Sequence, residues 1–189
     1  NNHIQALKQM KNTASACDGW IRNELICLPT SILQMRADFD NKLENDPNFH
    51  LPKAMHNVPS PSLDKEGPSS VSNKRLLGIT SILYRTYTKA NNIAYLRPWQ
   101  EAWAHDALHG GRPKRETLTS VLKYALDLDA AKINDEKLSI ALLDLSKFFD
   151  TITRNLNMNI LNKRGLNPHI GNYVNKLYSQ VNSIIKISD

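Results

Sequence analysis

The sequence predicts an α+β fold that is rich in helix, and three observations carry this prediction. Residues 117–132 place five apolar side chains at helical spacing, namely Leu118, Val121, Leu122, Ala125 and Leu128. Two apolar runs, at residues 138–143 and 183–187, have the composition of β-strands. Residues 52–72 contain four prolines, which exclude helix over most of that stretch.

The first fifty residues predict three helices. Residues 3–10 and 21–27 indicate two short ones, separated by a turn at Asp18 and Gly19. Pro29 suits the first turn of a third helix. That helix carries an apolar face formed by Ile32, Leu33, Met35, Phe39 and Leu43.

The remaining elements follow from the same patterns. Residues 52–72 form either a mobile loop or an irregular β-hairpin, with residues 76–79 as a returning strand. Residues 81–95 predict a helix that Pro98 ends. Residues 109–113 predict a loop, and residues 156–163 and 169–181 predict two further helices.

Length and composition limit the architecture. The chain has 189 residues, of which 41% are hydrophobic, enough for one core and a smaller second layer. The sequence contains no uninterrupted apolar run long enough to span a membrane, so no membrane span is expected. Because the sequence starts without Met, we expect a fragment or a processed form.

Charge is distributed unevenly along the chain, whose formal net charge is +6. Residues 1–60 are neutral, residues 61–115 carry +5, residues 116–150 carry −3 and residues 151–189 carry +4. Two basic segments therefore flank an acidic one. This pattern suits a polyanion lying across a metal-binding centre, and it also suits an ordinary basic surface that keeps a small domain soluble.

The most informative block is residues 141–152, Ala-Leu-Leu-Asp-Leu-Ser-Lys-Phe-Phe-Asp-Thr-Ile. Asp144 follows the apolar run, where a strand would hold a hard oxygen ligand for Mg²⁺ at the rim of a sheet. The alternative is a buried strand that ends in a capping aspartate.

Four blocks resemble, in order, the reverse transcriptases (RNA-directed DNA polymerases) of the non-LTR retroelement and dinoflagellate type. The first is residues 14–20, the second residues 74–81 with Tyr84 and Arg85, the third residues 109–118, and the fourth the block around Asp144. Pro98, Trp99 and Gln100 also fit the pattern of this family. The resemblance implies the helix-rich fingers and part of the palm of a right-hand polymerase, with an N-terminal extension and fingers at 1–135 and a partial palm at 136–189.

The resemblance also implies roles for individual residues. Asp144 would be catalytic and would bind Mg²⁺ together with the backbone carbonyl of Leu145. Nucleotide contacts would come from Arg75, Phe149, Lys65 and Arg112, because guanidinium and ammonium groups grip phosphates and an aromatic ring borders the ribose. Contacts to the nucleic-acid backbone would come from Lys74, Lys114 and Arg115. The alternative for these cations is that they are solvated loop charges.

The resemblance stops before the second catalytic motif of the family, because the sequence contains no Asp-Asp pair. We therefore expect a catalytically incomplete, reverse-transcriptase-derived chain that is inactive alone. Three hypotheses remain open: an enzyme fragment, a domesticated structural or RNA-contacting subunit of a larger assembly such as an organellar ribonucleoprotein, and a helical protein-interaction module. The expected partners are RNA, as template or as structural RNA, and other proteins of such a complex. An intracellular location, in the nucleus or an organelle, would fit these partners.

Overall fold

The computed structural model of the protein describes residues 2–64, 66–67, 74–145 and 151–186. It divides into two compact units. The first consists of Asn1–Leu96 and Gly165–Asp189, and the second of Arg97–Arg164. The mixture of helices and a small sheet confirms the α+β class. The predicted functional boundary at residue 135 falls inside the second unit and stays a prediction.

The first unit combines helices with a small sheet. Its helices are α1 (Asn2–Gln9), α2 (Arg22–Ile26), α3 (Thr30–Asn45), α4 (Lys53–His56), α5 (Ile82–Asn91), a π-helical turn (Asn92–Leu96) and α9 (Pro168–Gln180). Its strands are β1 (Asn57–Asp64), β2 (Lys74–Leu76) and β3 (Asn182–Lys186). The second unit contains α6 (Arg97–Trp103), α7 (Thr117–Ile133) and α8 (Arg154–Lys163).

The proline-rich stretch forms an irregular hairpin, one of the two alternatives that the sequence left open. The strand order is β2-β1-β3, with β1 antiparallel to β2 and parallel to β3. The carbonyls of Pro59 and Pro61 accept hydrogen bonds from Ile79 and Leu77 on the returning chain. The backbone nitrogen and carbonyl of a strand residue point to the same edge of the strand. The two proline nitrogens, which carry no hydrogen, therefore face the β2 edge of β1, and the N–H donors of β1 on the β3 edge are kept.

Two apolar clusters form the core of the first unit. One joins Leu43, Leu51, Met55, Tyr87, Tyr173 and Leu177, and the other joins Leu7, Leu25, Leu33 and Ile82. The rings of Tyr87 on α5 and Tyr173 on α9 stack with centroids 3.7 Å apart. These contacts tie α9, distant in sequence, to α3 and α5, because aromatic burial contributes large apolar area at each site.

In the second unit, two tryptophans of α6 contact the residue that follows α8. The indole N–H of Trp99 donates to the carbonyl of Arg164 at 2.7 Å. The Arg164 guanidinium lies over the ring of Trp103, 5.3 Å from its centroid. Trp99 and Trp103 themselves meet edge to face. The two tryptophans therefore anchor α6 to the residue that follows α8.

The predicted strand at residues 138–143 is wrong. In the structure these residues have no regular secondary structure, and Leu142 and Leu143 are 90% and 92% exposed. An apolar run becomes a strand only when a neighbouring strand pairs with it, and within the described residues none lies beside it.

Two further observations concern helices. The helical chain does not end before Pro98, because α6 continues through it, with the proline in the first turn where its missing N–H is harmless. Among the described residues, none of the helices combines the length and the apolar character needed to cross a membrane.

Candidate nucleic-acid interface

The first and second sequence blocks of the resemblance meet at the start of α5. The Ser81 hydroxyl accepts a hydrogen bond from the backbone N–H of Leu83 at 3.1 Å, which caps α5. The same hydroxyl donates to Asp18 Oδ2 at 2.6 Å. Ser81 is buried, so one side chain both begins the helix and binds the N-terminal segment.

Arg85, one turn further along α5, makes a second connection to the same segment. Its guanidinium donates to the carbonyl of Ala14 at 2.9 Å and to the Thr13 hydroxyl. Burial lowers the pKa of Arg85, and the nearby Asp18 carboxylate raises it. The guanidinium is therefore held by Thr13 and Ala14 of the N-terminal segment, and Ala14 belongs to the first block.

The hairpin leads directly into this junction. Gly78, between β2 and α5, approaches β1 so closely that a Cβ there would lie 3.3 Å from Val58 Cγ1. A larger residue would push the strands apart, because such a distance is shorter than an ordinary van der Waals contact.

Arg75 and Lys74 differ in availability. Arg75 on β2 is exposed, and its backbone lies opposite Leu63 in the register. Within the described residues its guanidinium has no hydrogen-bond or ion-pair partner. Lys74 is half-buried, and its ammonium lies 3.7 Å from Asp64 Oδ1. Arg75 is thus the free cation of the hairpin's described portion.

The nucleotide-binding role of Arg112 stays a prediction, and in this structure its guanidinium is occupied by protein groups. Arg112 is 6% exposed. Its guanidinium binds both oxygens of Glu101 on α6, at 3.0 and 2.5 Å, and the carbonyls of His105 and Leu108 at 2.8 and 3.1 Å. A guanidinium whose N–H groups are bonded in this way has no free pair of donors for bidentate contact with a phosphate.

The ion pair with Glu101 also explains the electrostatics of this loop. Hydrogen bonds from Arg112 lower the pKa of Glu101, and those same bonds raise the pKa of Arg112. The residue pattern predicts the loop but not the contact with Glu101, because that pairing joins a helix to a loop eleven residues away.

Lys114 and Arg115 lie next to this anchored loop. Lys114 is exposed and adopts a left-handed backbone with φ of 59°. Arg115 pairs with Asp106 at 2.8 Å on the surface. Exposed pairs of this kind are worth little free energy, so Arg115 can exchange Asp106 for a phosphate.

Asp144 and Leu145 occupy an exposed segment without regular structure. Within the described residues, no group of three His, Cys, Asp or Glu side chains lies close enough to hold a metal ion. A two-metal centre needs several carboxylates about 4 Å apart. The described residues therefore do not fit the Mg²⁺ site that the resemblance implied. Lys65 and Phe149, the other two predicted nucleotide contacts, lie outside the described residues.

A polar cluster in the first unit was missed. Asp40 Oδ1 binds Arg36 Nη2 at 2.6 Å, and His3 Nε2 lies 3.6 Å from Asp40 Oδ2. Arg36 and Asp40 are four residues apart on α3, a spacing that favours an ion pair on a helix. This spacing indicates the ion pair in the sequence, whereas the sequence does not predict that Asp40 is buried.

No protein-family model matches the chain, and no curated protein matches it.

Proposed function

We propose that this chain is the nucleic-acid-contacting, fingers-like part of a reverse-transcriptase-derived protein. In this proposal the β1–β2 hairpin contacts a single-stranded RNA, and the chain has no polymerase activity alone. Arg75 is the principal phosphate contact, with Lys74 beside it. Lys114 and Arg115 make secondary contacts.

The observation that carries the proposal is the junction between Asp18 and Ser81. These two residues belong to separate sequence blocks whose order resembles the family, and their side chains are hydrogen-bonded. A second link of the same kind joins Arg85 to Ala14. The first and second blocks, which resemble the family in sequence order, are therefore also in contact in the structure, as parts of one functional region would be.

Charge and exposure support the hairpin as the contacting surface. The sequence segment 61–115, which includes the returning strand of the hairpin, carries a net charge of +5. Arg75 is exposed there and has no partner within the described residues. A planar guanidinium held on a strand suits bidentate contact with phosphate oxygens.

Catalysis by the chain alone is not part of the proposal. The sequence has no Asp-Asp pair, and Asp144 belongs to no group of three potential metal ligands among the described residues. Nucleotidyl transfer requires two metal ions held by several such ligands. The proposed activity is therefore binding.

The test is the salt dependence of RNA binding by the purified chain, measured by fluorescence anisotropy with a labelled single-stranded RNA over a series of KCl concentrations. We expect Arg75→Gln to weaken binding several-fold. It should also reduce the slope of log K against log salt by about 0.7, the value for one phosphate contact on a single strand.

Lys42→Gln is the matched control, because Lys42 is an exposed cation on α3 of the same unit. It removes the same charge and should leave the slope unchanged. Equal effects of the two variants would mean that binding responds to net charge alone. No measurable RNA binding by the wild-type chain would refute the proposal.

A second candidate function, a protein-contacting subunit of a larger assembly, is favoured by one observation on α7. Its apolar side chains Leu118, Val121, Leu122, Leu126 and Ile133 are all exposed, and Ala131 is its buried residue. Apolar area of this kind on a soluble domain is typical of an interaction surface.

This candidate predicts a stoichiometric protein partner that co-purifies from the native source. Leu118→Gln combined with Leu122→Gln should abolish co-purification, whereas Lys123→Gln on the same helix should preserve it. Retention of every partner by the double variant would exclude α7 as the contact surface.

A further inference from the structure

Residues 138–143, in the second unit, form a mostly apolar surface that the proposed RNA contacts do not use. Their sequence is Leu-Ser-Ile-Ala-Leu-Leu, which contains no charged residue, no proline and no glycine. All six residues are exposed, Leu142 by 90% and Leu143 by 92%, and none of them belongs to a helix or a strand. An exposed six-residue segment of this composition is of the kind that pairs with other strands.

This segment is apolar on both faces that it would have as a strand. Successive residues of a strand point to opposite faces, so the even-numbered positions place Leu138, Ile140 and Leu142 on one face. The odd-numbered positions 141, 143 and 145 place alanine and leucine on the other. Such a pattern suits a strand whose two faces are both covered by further protein.

Two charged residues bound the segment, Lys137 at its start and Asp144 at its end. Both are exposed, and neither has an ion-pair partner among the described residues. When two copies of the segment lie antiparallel, one register places Lys137 of each copy opposite Asp144 of the other. The same register places Leu138 opposite Leu143, so the uncharged residues also pair with each other. The segment is therefore complementary in charge to a second copy of itself.

Other arrangements of two copies lose this match. A parallel in-register arrangement places Lys137 beside Lys137 and Asp144 beside Asp144, and like charges directly opposite each other destabilise a sheet. A shift of one residue from the antiparallel register places either Glu136 or Leu138 opposite Asp144. The first shift opposes two acids, and the second opposes an acid and a leucine. Charge complementarity therefore selects one antiparallel register among these arrangements.

The selected register also determines whether the assembly closes. It pairs an odd-numbered residue with an even-numbered one, and directly opposite residues of an antiparallel pair point to the same face. A two-fold axis perpendicular to the sheet keeps each residue on its own face, so it can pair only two odd or two even positions. Such an axis cannot relate these two strands. The contact is therefore heterologous, and each added copy offers a free edge to the next one.

We propose that residues 138–143 join copies of this chain into an open antiparallel β-sheet, with Lys137 of each copy opposite Asp144 of the next. The occupant of the exposed segment is thus the same segment of another copy. The backbone N–H and C=O groups of 138–143, which belong to no strand in the single chain, pair between copies. The inference does not depend on RNA binding.

The test is the assembly of the whole purified chain, followed by static light scattering and thioflavin T fluorescence at concentrations up to about 1 mM, the upper end of the range in which exposed apolar segments associate. We expect a critical concentration above which filaments form. Fibre diffraction of these filaments should show a strand spacing of about 4.7 Å. A chain that stays monomeric at every concentration, or assemblies without this spacing, would overturn the inference.

Lys137→Asp tests the register, because it places two carboxylates opposite each other. We expect the critical concentration to rise roughly fivefold or more. The formal net charge of +6 moves closer to zero in this variant, which by itself would promote association. Lys123→Asp, at an exposed position on α7, makes the same change in net charge and should not raise the critical concentration. Equal effects of the two variants would contradict the proposed pairing.

The charge swap that combines Lys137→Asp with Asp144→Lys keeps the net charge of the wild type and restores opposite charges across each pair of strands. It should therefore assemble at the critical concentration of the wild type. A swapped chain that assembles no better than Lys137→Asp alone would exclude the register.

Ile140→Lys tests the segment itself, because it places a charge in the middle of the uncharged run. It should abolish assembly, and the circular dichroism spectrum of the single chain should not change, since Ile140 lies outside regular secondary structure. Met35→Lys, at an exposed position on α3, is the matched control and should assemble as the wild type does. Assembly by Ile140→Lys would refute the inference. Loss of assembly in Leu118→Gln combined with Leu122→Gln would also refute it, because the contact would then lie on α7.

Discussion

Ser81 donates a hydrogen bond to Asp18 at 2.6 Å while its hydroxyl also accepts the backbone N–H of Leu83. One buried hydroxyl thus fixes the beginning of α5 and the position of the N-terminal segment that crosses it. The hairpin that carries Arg75 runs directly into this point.

Ser81→Ala should destabilise the first unit by about 1–2 kcal/mol, because it removes a helix cap and leaves the Asp18 carboxylate without its donor. Urea denaturation followed by circular dichroism measures the change. Ser31→Ala, at an exposed position on α3, is the control and should stay within about 0.5 kcal/mol of the wild type. An equal loss in both variants would contradict the dual role of Ser81.

The ion pair of Arg112 and Glu101 predicts a structural effect without an RNA effect. Arg112→Gln should lower the thermal stability of the second unit, and Glu101→Gln should do the same, because each leaves a polar partner unpaired. The double variant should lose less than the sum of the two single losses. The salt slope of RNA binding should not change in Arg112→Gln. A reduced slope there would restore the phosphate-binding role that the sequence predicted.

The buried pair of Asp40 and His3 predicts opposite pH dependences of stability. Burial raises the pKa of Asp40 from 3.8 to about 7, against the opposing effect of Arg36. Its contribution to the free energy of unfolding is therefore fully present below about pH 4 and is lost as pH rises through about 7. Burial and Arg36 lower the pKa of His3 from 6.5 to about 4. Its contribution is present above about pH 6.5 and is lost as pH falls through about 4.

Chemical denaturation at several pH values between 4 and 8 separates the two contributions. In Asp40→Asn, stability should rise with pH over this window, because the His3 contribution then acts alone. In His3→Gln, stability should fall with pH over the same window. Each change should amount to roughly 3–4 kcal/mol, which is the free-energy equivalent of the two pKa changes at about 1.4 kcal/mol per pKa unit. Parallel pH profiles of the two variants would show that burial does not act on these groups as described.

Local patterns predicted much of the first unit, because its helices have strong amphipathic periodicity and clear terminating signals. On the predicted apolar face of α3, Leu33 and Leu43 are buried, whereas Ile32 and Met35 are 44% and 66% exposed. For the proline-rich stretch the sequence allows a loop or a hairpin. A hairpin is stable only if the missing proline N–H groups face an edge of the strand where no donor is needed, and the sequence does not show which edge they face.

Long-range pairing explains the failures. Residues 138–143 have strand composition, but a strand also needs a partner, and composition does not supply one. The pairing of Arg112 with Glu101 is likewise not predictable from the sequence, which shows a charge without showing the group that neutralises it. Asp40 lies outside the predicted apolar face of α3 and is nevertheless buried, because side chains of α1 and α9 contact it.

The most direct measurement of the central claim is photo-crosslinking of the whole chain to a 4-thiouridine-containing single-stranded RNA, with the crosslinked peptides identified by mass spectrometry. The account predicts that crosslinks concentrate in the β1–β2 hairpin, at peptides containing residues 57–64 and 74–79, and that competitor salt suppresses them. Crosslinks confined to other peptides, or a hairpin yield equal to that of α3, would contradict the assignment of the hairpin as the RNA-contacting surface.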